Sequence, residues 1–112
     1  MMEDHVIELL SKSTDNIQNL YNKLRQIVYS AVSGEVTETL WARLPSYYVG
    51  ENFVRLIPFK DHINIEAKAI LSHADELSGY KITPKGMLQI YLTDKIPEEI
   101  LQKIFAESLT LS

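Results

Sequence analysis

The sequence predicts an α+β two-layer sandwich, a small curved antiparallel sheet covered by helices from the two ends of the chain. Three observations predict it. Near both ends apolar residues recur at steps of three and four: Ile17, Leu20, Leu24, Ile27 and Ala31 early, and Ile100, Leu101, Ile104, Phe105 and Leu109 late. Between them the composition turns β-branched and aromatic, with a period of two. Helical and strand-like segments are segregated along the chain rather than alternating, and no internal repeat, low-complexity tract or long linker divides it, so residues 1–112 form one domain.

Each element follows in order. Asp4 to Leu10 carries Val6, Ile7, Leu9 and Leu10 and reads as a short helix that stops in the Ser11-Lys12-Ser13-Thr14 break. Thr14 or Asp15 caps a longer helix, whose apolar stripe is widened by Tyr21 and Val28 and which Gly34 ends. Val36 to Trp41 is the first strand. Pro45 is expected to interrupt before Ser46 to Val49, and Gly50-Glu51-Asn52 turns the chain into Asn52 to Phe59. Asp61 is the turn residue before the strand His62 to Ala67. Ile70 to Leu77 is a short helical insert closed by Gly79, Lys81 to Gly86 a loop broken by Pro84 and Gly86, and Met87 to Leu92 the last strand. Pro97 in the first turn, with Glu98 and Glu99 on the positive end of the helix dipole, starts the terminal helix.

Composition narrows the function classes. The chain has 112 residues, 46% hydrophobic and 23% charged, enough for one core and too few for two. It contains no cysteine, which excludes disulfides, thiolate metal sites and cysteine nucleophiles and fits a reducing cytoplasm. The start, Met-Met-Glu-Asp-His, is acidic where a signal peptide would be basic, and no apolar run is long enough for a membrane span. A soluble, cytoplasmic protein without membrane contact is expected. The net charge of −4 and the scattered lysines and arginines argue against a phosphate-tracking nucleic-acid surface.

The run Pro58-Phe59-Lys60-Asp61-His62-Ile63 places a lysine and a histidine at the join of two apolar strands, the pattern of a ligand-facing corner. Alternation puts His62, Asn64 and Glu66 on one strand face. Those three residues span about 13 Å, so at most two could reach a single metal ion. Lys60, His62 and Lys85 are read as converging on one rim, where two cationic donors and an imidazole suit a phosphate or carboxylate. Trp41, Tyr47 and Tyr48 would form an aromatic wall beside it. The catalytic templates are missing: no phosphate-cradling glycine loop, no nucleophile elbow and no two-histidine helix occurs, and helix capping accounts for the Glu98-Glu99 pair.

The ordered set Glu38-Thr39-Leu40-Trp41, Leu44-Pro45-Ser46-Tyr47, Phe59-Lys60-Asp61-His62-Ile63, Lys85-Gly86 and Ile96-Pro97 resembles the YdhG-like bacterial domain family, whose fold is compared with frataxin. The likeness spans nearly the whole chain. It implies a curved antiparallel sheet between terminal helices, and an activity described for some members: iron chaperones that hand ferrous iron to iron–sulfur or haem assembly proteins. Glu38, Trp41, Pro45, Phe59, Lys60, His62, Lys85, Gly86 and Pro97 are the matching positions, and Glu3, Asp4, Glu8 and Asp15 are the nearest counterparts of a frataxin acidic ridge. The resulting expectation is a non-enzymatic binding protein that captures and transfers ferrous iron, with Lys60, His62 and Lys85 on the functional rim and Glu38 and Trp41 supporting it. The alternative is a pocket or interaction module that binds a small anionic ligand or a partner protein through the same Lys60/His62/Lys85 face.

Overall fold

The computed structural model describes residues 2–111. Two helices, α1 (Asp4–Leu10) and α2 (Asp15–Ser30), precede four strands, β1 (Thr37–Trp41), β2 (Leu44–Val49), β3 (Asn52–Pro58) and β4 (His62–Ala67). A 3₁₀ segment (Leu71–Leu77), two further strands, β5 (Lys81–Ile82) and β6 (Leu88–Tyr91), and a terminal helix, α3 (Glu98–Thr110), complete the chain. The six strands form one sheet in the order β1-β2-β3-β4-β6-β5, with every pairing antiparallel. The α+β sandwich is as expected.

The starts of α1 and α2 obey capping chemistry, while α3 follows Pro97 with no side-chain cap. The Thr14 hydroxyl accepts from the Ile17 amide at 3.2 Å, and the Glu3 carboxylate accepts from the His5 amide at 2.8 Å. From those starts α2 turns Leu20, Tyr21, Leu24, Ile27 and Val28 inward, and α3 adds Leu101, Ile104, Phe105 and Leu109. They close over Tyr47, Val54, Leu56, Ile63, Ile65, Leu88 and Ile90 from the sheet, all fully buried. At about 25 cal/mol per Å² of apolar surface this single contiguous core is the main source of stability. The helices pack on each other and on the same sheet face. The other face of the sheet is left open.

Three local expectations change, and one tight turn comes in addition. Pro45 lies within β2 instead of interrupting it: it pairs with Leu40 of the edge strand β1, while the ladder to β3 starts one residue later at Ser46–Arg55, so the missing N–H falls at a ladder end. The segment read as a loop contains β5, two residues pairing with Gln89 and Leu88. Helix α2 ends at Ser30, before Gly34. The β1–β2 connection is a tight hairpin, Trp41 opposite Leu44, in which Ala42 and Arg43 both hold positive φ (50° and 66°). That is the two-residue turn normally given to Asn-Gly. Among the described residues no helix is long and apolar enough to cross a membrane.

Candidate functional site

Strand alternation and register put Thr39, Ser46, Arg55 and Glu66 in one row across the open face. Arg55 is 6% exposed, although no helix covers it. Its Nε donates to Ser46 Oγ at 2.9 Å, Nη1 to Glu66 Oε1 at 3.2 Å and Nη2 to the Tyr48 hydroxyl at 3.3 Å. Its Cζ stands 3.8 Å from the Phe53 ring centroid and 4.3 Å from that of Trp41. A planar guanidinium both forks hydrogen bonds and stacks on aromatic faces, which lysine cannot do. Trp41, by contrast, stays 55% exposed.

A second stack stands at the end of the same face. The His62 ring lies between Phe59 (centroids 4.8 Å apart, planes 7° apart) and Tyr91 (4.7 Å, 28°). His62 Nδ1 is 2.8 Å from Asp61 Oδ1, and this partner holds the Asp61 carboxyl below its usual range. Gln89 donates to Asn64 Oδ1 at 3.2 Å and accepts from the Tyr91 hydroxyl at 3.2 Å, so the polar side chains of β4 and β6 form one network. Phe59 remains 46% exposed. Two half-exposed aromatic rings thus stand over side chains that are already ordered, the arrangement in which a contact loses least conformational entropy.

The three residues expected on one rim, and the two expected to support it, are distributed over separate places. Lys60 is exposed on the β3–β4 turn, beside His62. Lys85 is at the other end of the sheet: His62 pairs with Tyr91 and Ile65 with Leu88, so the residue at which β6 leaves the β5–β6 hairpin that carries Lys85 is already about 10 Å away along β4. Trp41 is on the open face with the Arg55 cluster. Glu38 is on the covered face, in the row of Tyr47, Val54 and Ala67. Its carboxylate accepts from Arg25 Nε at 2.6 Å and Nη2 at 3.0 Å and from the Glu3 amide at 2.7 Å. Burial pushes this carboxyl up, but the hydrogen bonds from Arg25, Tyr47 and the Glu3 amide together outweigh burial and hold it below the usual range.

His62, Asn64 and Glu66 do share the open face, yet their side chains are already engaged, His62 by Asp61, Asn64 by Gln89 and Glu66 by Arg55, with Gln89 Nε2 also 3.4 Å from His62 Nε2. Among the described residues no three histidine, aspartate or glutamate side chains gather as a metal site. Arg55 is the residue that sequence reasoning missed. The signal was a single arginine in the strand Phe53-Val54-Arg55-Leu56-Ile57, on the alternation phase opposite to the buried Val54 and Leu56. Comparison with models of known families, with curated proteins and with solved structures finds no match.

Proposed function

We propose that this chain is a non-enzymatic, cytoplasmic binding protein that docks a partner protein on the open face of its sheet. The observation that carries this reading is the pairing of exposure with order: Trp41 and Phe59 are 55% and 46% exposed, while Arg55 and His62 beneath them are fixed by stacking and hydrogen bonds. Half-exposed tryptophan, aromatic and arginine side chains are the usual anchors of protein interfaces. The YdhG-like resemblance would put that partner among iron–sulfur or haem assembly proteins.

A photo-crosslinking residue at position 41 in the native cells tests the reading, with the same group at the exposed Lys103 of α3 as the helix-side control. A discrete adduct from position 41 that disappears when Phe59→Ala is added, and does not form from position 103, is the expected result. Equal adducts from both faces, or none from position 41, would remove it.

The iron-carrier reading is supported by one local feature besides the resemblance. Glu3 Oε1 holds His5 Nδ1 at 2.7 Å, and together with Asp4 and Glu8 raises the His5 pKa at the exposed start of α1. A carboxylate and an imidazole supply two donors, enough only for loose, reversible capture of a divalent ion, and protonation of His5 competes with it. Anaerobic ferrous titration with NMR line-broadening tests it: saturable micromolar binding centred on Glu3 and His5 supports the carrier, and no binding dismisses it.

A further inference from the structure

Lys85-Gly86 is the motif that the partner surface leaves unused. It forms one wall of a groove of about 410 Å³ at the far end of the open face. Phe53 of β3, Glu66 and Ala67 of β4, Leu71 of the 3₁₀ segment and Met87 supply the other walls. Gly86 is there for two reasons. Its φ of 90° is in the left-handed region, and the nearest side-chain atom to a Cβ placed on it would be Leu71 Cδ1 at 3.6 Å, so a longer side chain would occupy the groove.

The walls are apolar and the rim is cationic. Leu71 is 66% exposed, more than any other large apolar side chain described, and it lines the groove with Phe53 and Met87. The one acid, Glu66, is 3.2 Å from Arg55 Nη1, and the same guanidinium lies against Phe53, so the negative charge of the groove is already matched. Lys68 Nζ is held by Asn52 Oδ1 at 3.0 Å and by the Leu111 carbonyl, which fixes a positive charge beside the groove. Lys85 has no hydrogen-bond partner among the described residues, and its flexible stem lets the ammonium swing over the opening. Volumes from about 300 Å³ upward suit small-molecule ligands.

We propose that this groove binds a small apolar carboxylate, its hydrocarbon body against Phe53, Leu71 and Met87 and its carboxylate on the Lys85 ammonium. The groove adjoins the partner surface, sharing Phe53 and Glu66 with the Arg55 cluster, but the ligand is read in it directly and without the partner.

Octanoate, octanol and octylamine are the probes, titrated into the full chain and followed by the ε-methyl carbon signal of Met87 and by backbone amide shifts. Octanoate is expected to move Met87 and the amides of Phe53, Leu71 and Gly86 saturably, octanol more weakly, and octylamine least. Lys85→Met keeps the stem and removes the charge, and should weaken octanoate by about fivefold while leaving octanol unchanged. Leu71→Glu, at an exposed position that does not threaten folding, should abolish octanoate binding. Equal binding of octanoate and octylamine, shifts centred elsewhere, or an unchanged octanoate affinity in Lys85→Met would overturn the assignment.

Discussion

Arg25 of α2 and Glu38 of β1 form a two-pronged ion pair, Nε to Oε2 at 2.6 Å and Nη2 to Oε1 at 3.0 Å, at the edge of the covered face. The Glu38 side chain is 5% exposed and that of Arg25 18%. Removing the carboxylate leaves a guanidinium with little water to replace it. Glu38→Gln should therefore cost about 2 kcal/mol of unfolding free energy, read from urea denaturation. The pair also sets an acid limit. The folded carboxyl titrates below its ordinary value of 4.5, so its stabilisation is complete above that pH and is lost as pH falls through the lower folded pKa. Glu38→Gln should flatten the acid limb of the stability curve. An unchanged limb would mean that other carboxylates govern it.

His73 predicts a loss of stability at the opposite end of the scale. Its Nδ1 lies 2.7 Å from Glu76 Oε1 and its Nε2 2.9 Å from Glu107 Oε1, so a protonated ring clamps the 3₁₀ segment to α3. The hydrogen bond to Glu76, then that to Glu107, raises the His73 pKa above 6.5. A raised folded pKa gives stability that is full below 6.5 and is lost as pH rises through the folded value. The melting temperature should fall across that window, and His73→Asn should remove most of the fall. His5 shifts in the same direction but is fully open to solvent, so screening leaves it a small share.

The β1–β2 turn carries avoidable strain. Ala42 and Arg43 both sit at positive φ, where an L-residue loses roughly 1 kcal/mol or more. Arg43→Gly, alone or with Ala42→Asn, should raise stability by about 1 kcal/mol and leave the register of Trp41 opposite Leu44 intact. A drop in stability would show that the Arg43 side chain has a role of its own.

Tyr21 and Tyr47 share a buried hydrogen bond of 2.6 Å between their hydroxyls. Burial pushes both phenols well above the ordinary range. Tyr47→Phe removes the link between Tyr21 and Glu38 and should cost about 1–3 kcal/mol. In ultraviolet pH titration, two of the six tyrosines should ionise only when the fold opens.

Trp41 is the only tryptophan of the chain and stacks on Arg55, so its emission reports the open face directly. Arg55→Ala should red-shift that emission and weaken the fold by about 2 kcal/mol, because Glu66, Ser46 and Tyr48 lose their shared donor. Emission unchanged by the substitution would mean that the stack does not persist in solution.

Much of the fold was legible because capping and periodicity act locally. Thr14, Pro97 and the i, i+3, i+4 stripe from Ile17 to Ile27 mark their helices without help from the rest of the chain. Pro45 misled because its effect depends on where the neighbouring ladder stops, and β5 was hidden because two residues carry no period. The site was less legible for the same reason. Lys60 and His62 are close in sequence and close in space, whereas the place of Lys85 depends on which strand β6 chooses as neighbour. Glu38 was expected to support the rim, but strand register puts it on the covered face, where Arg25, thirteen positions earlier, holds its carboxylate.

The strand order β1-β2-β3-β4-β6-β5 also sets a sequence in time. The first four strands are joined by short turns and can zip together as successive hairpins within microseconds. Strand β6 docks on β4 only once the chain from Lys68 to Met87 closes on itself, a contact of longer range than those of the hairpins before it and one expected to form after them. The Lys85 groove takes one wall from each side of that closure. It is therefore the last part of the sheet to assemble, and its amides should be among the first to exchange with solvent when the native protein breathes.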